Sequence, residues 1–168
     1  MTDQSLKYLI DSDVLIQAHR TYYAFDICTG FWDAIINNQH IVSSIDKILD
    51  EINTGSKPDE LKKWVKDDLS SGFFESTNDP DVVNEYTVIA NWVNSRSFTA
   101  QAKAEFFAAA DGWLIAFAKA KNRIVITQEK PDPLATGVIK IPDVCNGVGV
   151  HWKGTYDLLR ELGIKLII

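Results

Sequence analysis

Acidic side chains at four separate points of this chain could together bind a divalent cation. Asp11 and Glu129 each come at or just after the end of an apolar run typical of a buried strand. Glu51 lies on a predicted helix, and Asp111 opens another. Carboxylates that are held close together repel one another, which raises their pKa values unless a cation neutralises them. Because hard oxygen ligands suit Mg²⁺ or Mn²⁺, the pattern predicts a metal site formed by all four acids.

The elements that carry these acids predict that they meet. In an open parallel sheet, ligands bind in the crevice beyond the carboxyl ends of the strands, where Asp11 and Glu129 are expected. Asp111 begins a helical stretch, 111–121, that leads almost directly into the strand before Glu129. A helix that feeds a strand in this way begins near the carboxyl ends of the strands. Three acids from three elements are therefore expected at one edge of the sheet.

Strand-like and helical patterns alternate along the chain, which predicts an α/β sandwich with a helical insert between the second and third strands. The predicted strands cover 7–10, 40–43, 123–127 and 138–141, with a further one at 164–168. Helical patterns cover 25–37, 44–52, 57–69, 82–93, 99–110 and 111–121.

Length and composition predict one globular domain spanning 1–168, since 46% of the 168 residues are hydrophobic. No segment resembles a signal peptide or a membrane span, so we expect a cytoplasmic protein that does not contact a membrane.

Cys28 and Cys145 are far apart and lack the spacing of a zinc site or a disulfide framework. The net charge of −6 argues against broad electrostatic adhesion to nucleic acid, but it does not exclude an enzyme that acts on nucleic acid.

Each acid also has a simpler interpretation. The simpler interpretation fits Asp11 least well, because a carboxylate at the tip of a buried strand costs several kcal/mol if it is unpaired. Glu51 could be a boundary residue that reaches back to water, and Asp111 could be the N-cap of its helix. Asp13 is expected to be a cap or a supporting group. The hydroxyl of Thr127 could hold a carboxylate, a water or a phosphate, or could simply be satisfied at the end of its strand.

Four motifs taken together resemble the PIN domain, and they occur in that family's order. They are YLIDSDVLI at 8–16, VSS at 42–44 followed by Glu51, ADGWLIA at 110–116, and IVITQE at 124–129. The resemblance covers residues 7 to 145. The segment KIPDVC at 140–145 further resembles a little-characterised bacterial subgroup of PIN-like proteins.

This resemblance implies a three-layer α/β/α sandwich with a central parallel sheet, and the activity of a metal-dependent endoribonuclease. It implies that the catalytic, metal-binding quartet is Asp11, Glu51, Asp111 and Glu129, with Asp13 and Thr127 as accessory groups. Small bacterial members of the family are often VapC-type toxins, so RNA is the expected substrate and an antitoxin an expected partner. The sequence departs from the family pattern at Glu129, where the family usually has aspartate.

Other interpretations stay open. A phosphatase of the haloacid dehalogenase type also begins with a strand and an Asp-x-Asp pair, in which Asp11 would be the nucleophile and Asp13 the general acid. An inactive PIN-like scaffold that binds RNA or protein is a further alternative. Apolar helices in the insert, such as those with Trp64 and Trp92, could pair two subunits into a homodimer or dock an antitoxin, although burial in the core is the default explanation.

Overall fold

A five-stranded parallel sheet lies at the centre of the computed structural model, which describes residues 7–54 and 59–166. The strands are β1 (Tyr8–Ile10), β2 (Val42–Ile45), β3 (Phe74–Glu75), β4 (Ile124–Ile126) and β5 (Trp152–Lys153). The helices are α1 (Ser12–Gln17), α2 (Thr29–Asn37), α3 (Asp46–Asn53), α4 (Glu60–Asp68), α5 (Pro80–Asn94), α6 (Ala100–Ala108), α7 (Asp111–Lys121), α8 (Ile141–Val148) and α9 (Thr155–Glu161). A π-helical turn, Ala18–Tyr22, extends α1.

The strands lie in the order β3-β2-β1-β4-β5, and every neighbouring pair is parallel. The chain proceeds outward from β1 to β3 and then returns to β4 on the other side of β1. The strand order therefore reverses between β1 and β4. All three residues of β1 are buried, as expected for a strand that helices cover on both faces. This arrangement confirms the predicted three-layer α/β/α fold.

Helix α7 crosses the core and fixes the start of β4. Its Leu114 and Ile115 are fully buried, and its Trp113 stacks on Tyr86 of α5 with ring centroids 4.2 Å apart. Asn122 ends the helix in the left-handed conformation with φ 54°. Such a residue allows a sharp turn after a helix, so the chain enters β4 two residues later. Asp111, at the opposite end of α7, is thereby held near the carboxyl ends of the strands.

Several sequence predictions about individual elements are wrong. The expected strand at 138–141 is absent, because Ile141 begins α8 and Pro142 occupies its first turn, where a missing N–H costs nothing. The short strands β3 and β5 were not predicted, so the insert is helical except for β3. Strand β2 begins two residues later than expected.

The remaining sequence predictions concern the C-terminal residues and the helical insert. Residues 164–166 are not in a strand, whereas 167 and 168, like 57 and 58, lie outside the described residues. Trp64 is buried in the core, which agrees with its default interpretation. Trp92 is half-buried and packs against the core. Within the described ranges, no helix is both long and apolar enough to cross a membrane.

Candidate functional site

The crevice beyond β1 and β4, where the strand order reverses, is the place where open α/β sheets bind their ligands. Asp11 enters it directly from β1. Its backbone N–H donates to the carbonyl of Ile126 at 2.9 Å, so the two strands stay paired up to this residue. Its side chain is 3% exposed and caps α1, with Oδ1 accepting from the N–H of Ser12 at 2.7 Å. The buried acid is therefore fixed in position by both its backbone and its side chain.

Thr127 joins the two aspartates of the first motif. Its hydroxyl lies 3.2 Å from Oδ2 of Asp11 and 3.3 Å from Oδ2 of Asp13. The same hydroxyl oxygen accepts from the N–H of Glu129 at 3.1 Å. Because one hydroxyl has one proton, Asp11 and Asp13 must share it, and the pair repel each other wherever both are ionised. Asp13 also accepts from the N–H of Gln128 at 3.2 Å, so it links α1 to the loop after β4 and does not cap a helix.

Glu51 reaches inward from α3 and uses both carboxylate oxygens. Oε2 accepts from the hydroxyl of Ser12 at 2.8 Å, and Oε1 accepts from the N–H of Ala110 at 2.9 Å. The interpretation of Glu51 as a boundary residue turned to water is therefore wrong. Its contacts tie the start of α1 to the residue that precedes Asp111.

Asp111 is the first residue of α7, but it does not cap the helix. The cap position is Ala110, and no side chain makes a capping hydrogen bond there. Burial, followed by the charges of Glu129 and Glu51, raises the pKa of Asp111 to about 7. A largely buried acid that has no capping role and is repelled by its acidic neighbours fits a site that receives a cation.

Glu129 holds the helix that follows the site. Its Oε2 accepts from the N–H of Ile141, the first residue of α8, at 2.7 Å. The reach of glutamate across this gap gives a structural reason for glutamate at the position where the PIN pattern usually has aspartate. One carboxylate oxygen is thus engaged by the protein, while burial raises the pKa of the group.

The repulsion between these acids extends through the whole cluster. Burial, then the charges of Asp13 and Asp111, raises the pKa of Asp11 well above its usual value. Burial likewise raises the pKa of Asp13, although the N–H of Gln128 opposes the effect. The charge of Lys140 lowers the pKa of both Asp111 and Glu129. The charge of Lys140 therefore offsets only part of the negative charge of the cluster.

This donor set fits a divalent cation by its chemistry, because buried carboxylates that repel one another are the ligands that a hard cation stabilises. No three acidic, histidine or cysteine side chains of residues 7–54 and 59–166 are already placed as a metal cage. The contacts explain this: Glu51 and Glu129 are both turned toward backbone N–H groups. Their oxygens still have lone pairs with which to accept a further ligand.

Sequence reasoning missed two residues that shape the site. Ser12 connects Asp11 to Glu51, and its position inside the Asp-Ser-Asp motif was the available signal. Lys140 precedes α8, and its charge acts on Asp111 and Glu129. It stands first in the KIPDVC segment that the resemblance had singled out. The contact between Glu129 and α8 brings this distant segment to the site.

The comparisons with known proteins agree with this fold. The crystal structure of FitAcB from Neisseria gonorrhoeae is similar with a TM-score of 0.57 and 17% sequence identity, over 86% of this chain and 95% of that chain. At this identity the similarity concerns the fold, which is the PIN-like α/β arrangement that the motifs predict. No curated protein gives a significant sequence match. Residues 8–166 match the family model described as "Domain of unknown function (DUF4411)". The chain therefore belongs to the DUF4411 family.

Proposed function

We propose that this protein is a metal-dependent endoribonuclease that hydrolyses RNA phosphodiester bonds. The observation that supports the proposal best is the meeting of Asp11, Asp13, Asp111 and Glu129 at the reversal of strand order, with their pKa values all raised. Like charges gathered in a buried crevice destabilise the metal-free protein. Such an arrangement is expected where a cation and a phosphate are to be bound together.

Asp11, Asp111, Glu51 and Glu129 would hold one or two Mg²⁺ or Mn²⁺ ions. When bound, a divalent cation would make a water more acidic and would stabilise negative charge at the phosphate. The hydroxyl of Thr127 keeps Asp11 and Asp13 side by side. Glu51, through Ser12 and the N–H of Ala110, fixes the distance between the starts of α1 and α7. Lys140, whose charge acts on Asp111 and Glu129, would bind an oxygen of the phosphate.

The biological setting is part of the same proposal. The order of the motifs resembles that of VapC-type PIN toxins, so we infer a toxin held inactive by an antitoxin, acting in the cytoplasm on RNA. We also infer that the DUF4411 family is a subgroup of the PIN-like proteins. A phosphatase of the haloacid dehalogenase type is not favoured, because that family carries a late pair of aspartates and no late acidic pair is present in this sequence.

The test is the cleavage of mixed tRNA and other structured RNA by the purified protein with Mn²⁺, Mg²⁺ or EDTA. We expect metal-dependent cuts that the Asp11→Asn and Asp111→Asn variants, purified in the same way, make at least about 100-fold more slowly. The matched control is Asp50→Asn, which removes an exposed acid of α3 outside the crevice and should leave the rate unchanged.

Two results would count against the nuclease. Cleavage that is equally fast with the Asp11→Asn protein would have to come from a contaminant. An absence of cleavage, together with no rise in melting temperature on adding Mn²⁺, would favour the inactive scaffold, since a ligand that binds only the folded state must stabilise it.

A further inference from the structure

A cavity of about 660 Å³ opens directly beside the acidic crevice. Asp13 and Glu129 form its wall on the side of the crevice, while the π-helical turn and α9 contribute the other walls. Its volume lies within the range of about 300–1,000 Å³ that is common for ligand sites. A polymer that places one phosphate at the carboxylates would therefore extend into this cavity.

The outer wall of the cavity carries two cations. Lys130 is exposed and makes no ion pair with any residue in the described part of the chain. Arg160 lies 3.4 Å from Asp157, but both side chains are more than half exposed, so this ion pair is weak. Most of the guanidinium donors remain available to a ligand. Asp157 lines the same cavity, but Lys130 and the weakly paired Arg160 still offer N–H donors to a phosphate.

The cavity also has aromatic walls and an unsatisfied hydroxyl. Tyr22 and Tyr156 both line it, and they are 54% and 59% exposed. Exposed aromatic rings next to cations suit a nucleotide, since a base can stack on a ring while its phosphate meets the charge. Thr155, which also lines the cavity, is 2% exposed, and its Oγ1 has no hydrogen-bond partner in the structure. A buried hydroxyl without a partner is costly, and a bound ligand could satisfy it.

We propose that this cavity is a nucleotide subsite for single-stranded RNA, adjacent to the phosphodiester that is cut. Lys130 and Arg160 bind the neighbouring phosphate, and the base stacks on Tyr156 or Tyr22. The strand must be single at this point, because a base in a duplex has no free face to stack on a side chain. The proposal rests on RNA being the substrate of the acidic site, and it identifies which form of RNA is bound and by which residues.

The experiment measures binding separately from cleavage. The probe is a fluorescein-labelled single-stranded RNA oligonucleotide of mixed sequence, followed by fluorescence anisotropy in EDTA and again in Ca²⁺. We expect the Lys130→Ala/Arg160→Ala variant to bind at least about tenfold more weakly than the wild type. Its plot of log affinity against log salt should be shallower by about 0.7, because the contact with one phosphate of a single strand is lost.

A second variant and a matched control sharpen the result. Tyr156→Ala should weaken binding by about tenfold without changing the salt dependence, because it removes stacking and leaves the charges in place. The control is Lys63→Ala/Lys66→Ala, which removes two exposed lysines of α4 outside the cavity. It should change neither the affinity nor the slope.

The outcomes separate this proposal from the nuclease itself. Unchanged affinity and slope in the Lys130→Ala/Arg160→Ala variant would overturn the subsite, and so would a wild type that binds no single-stranded RNA in either condition. RNA that is cut with unchanged KM by that variant would refute the subsite and leave the nuclease standing. RNA that binds through the cavity but is never cut by the wild type with Mn²⁺ would refute the nuclease, and it would leave the cavity as a site that binds single-stranded RNA without cleavage.

Discussion

Replacing Asp111 with asparagine should stabilise the metal-free protein at neutral pH. The pKa of Asp111 is raised from an ordinary value of 3.8 to about 7 in the folded state. The folded protein therefore binds more protons than the unfolded chain between these two values, so its stability falls as the pH rises from about 4 to 7. A difference of roughly three pH units corresponds to a loss of up to about 4 kcal/mol. Asparagine has nearly the same shape and no charge, so the variant escapes this loss.

Urea denaturation in EDTA at pH 5 and pH 8 measures the effect for the wild type and for Asp111→Asn. All other titrating groups are common to the two proteins, so the difference between their unfolding free energies isolates Asp111 and its partners. We expect that difference to grow by about 2–4 kcal/mol in favour of the variant from pH 5 to pH 8. Asp50→Asn, the exposed control on α3, should show no such change.

Adding Mn²⁺ at pH 8 completes the experiment. The cation should raise the melting temperature of the wild type more than that of Asp111→Asn. In the wild type the carboxylate of Asp111 can bind the cation, and the bound cation also removes the repulsion between Asp111 and its acidic neighbours. A free-energy difference that is the same at pH 5 and pH 8 would refute the reasoning, since it would mean that Asp111 is not under electrostatic stress in the folded protein.

Three further predictions concern other contacts. Glu129→Asp should lose the bond to the N–H of Ile141 and about 0.5–1.5 kcal/mol of stability in urea denaturation, whereas Glu129→Gln, which keeps the acceptor, should lose less. Lys140→Met should steepen the loss of stability between pH 5 and pH 8 in EDTA, because Lys140 lowers the pKa of both Asp111 and Glu129; an unchanged slope would place Lys140 outside the site. Gly147→Ala would bring a Cβ to within 2.2 Å of the Trp92 ring, so its melting temperature should fall by several °C for a loss of about 1–3 kcal/mol, while Gly72→Ala, with open space around it, should not show that fall.

The elements that could be predicted are those with a long pattern and a clear end. Helix α7 begins and ends where its composition indicates, with Asn122 as the stop before β4. Strands β3 and β5 contain two residues each, too few for any periodicity to be read. Helix α8 was missed because Ile139 and Ile141 alternate as in a strand. A tertiary contact stabilises the start of this helix, because Glu129 accepts a hydrogen bond from the first N–H of α8.

The sequence predicted those parts of the candidate site whose position follows from the ends of the strands. Asp11 is tied to Thr127, and Thr127 to Glu129, because β1 and β4 are neighbours whose carboxyl ends coincide. The sequence could not reveal the partners of these acids. Glu51 is bound by a hydroxyl 39 residues away and by a backbone N–H 59 residues away. Such contacts depend on how the helices pack, and no local pattern encodes them.

The acids of this crevice are therefore not independent groups placed side by side. Thr127 shares one proton between Asp11 and Asp13, and Glu51 couples the start of α1 to the start of α7. Removing one charge relieves the repulsion felt by the others, so a second neutral substitution has less repulsion left to remove. The stabilisation gained from two such changes should be smaller than the sum of the separate gains. For the same reason, we expect that a cation that neutralised the whole cluster would stabilise the folded protein through several side chains at once, including those whose oxygens it did not touch.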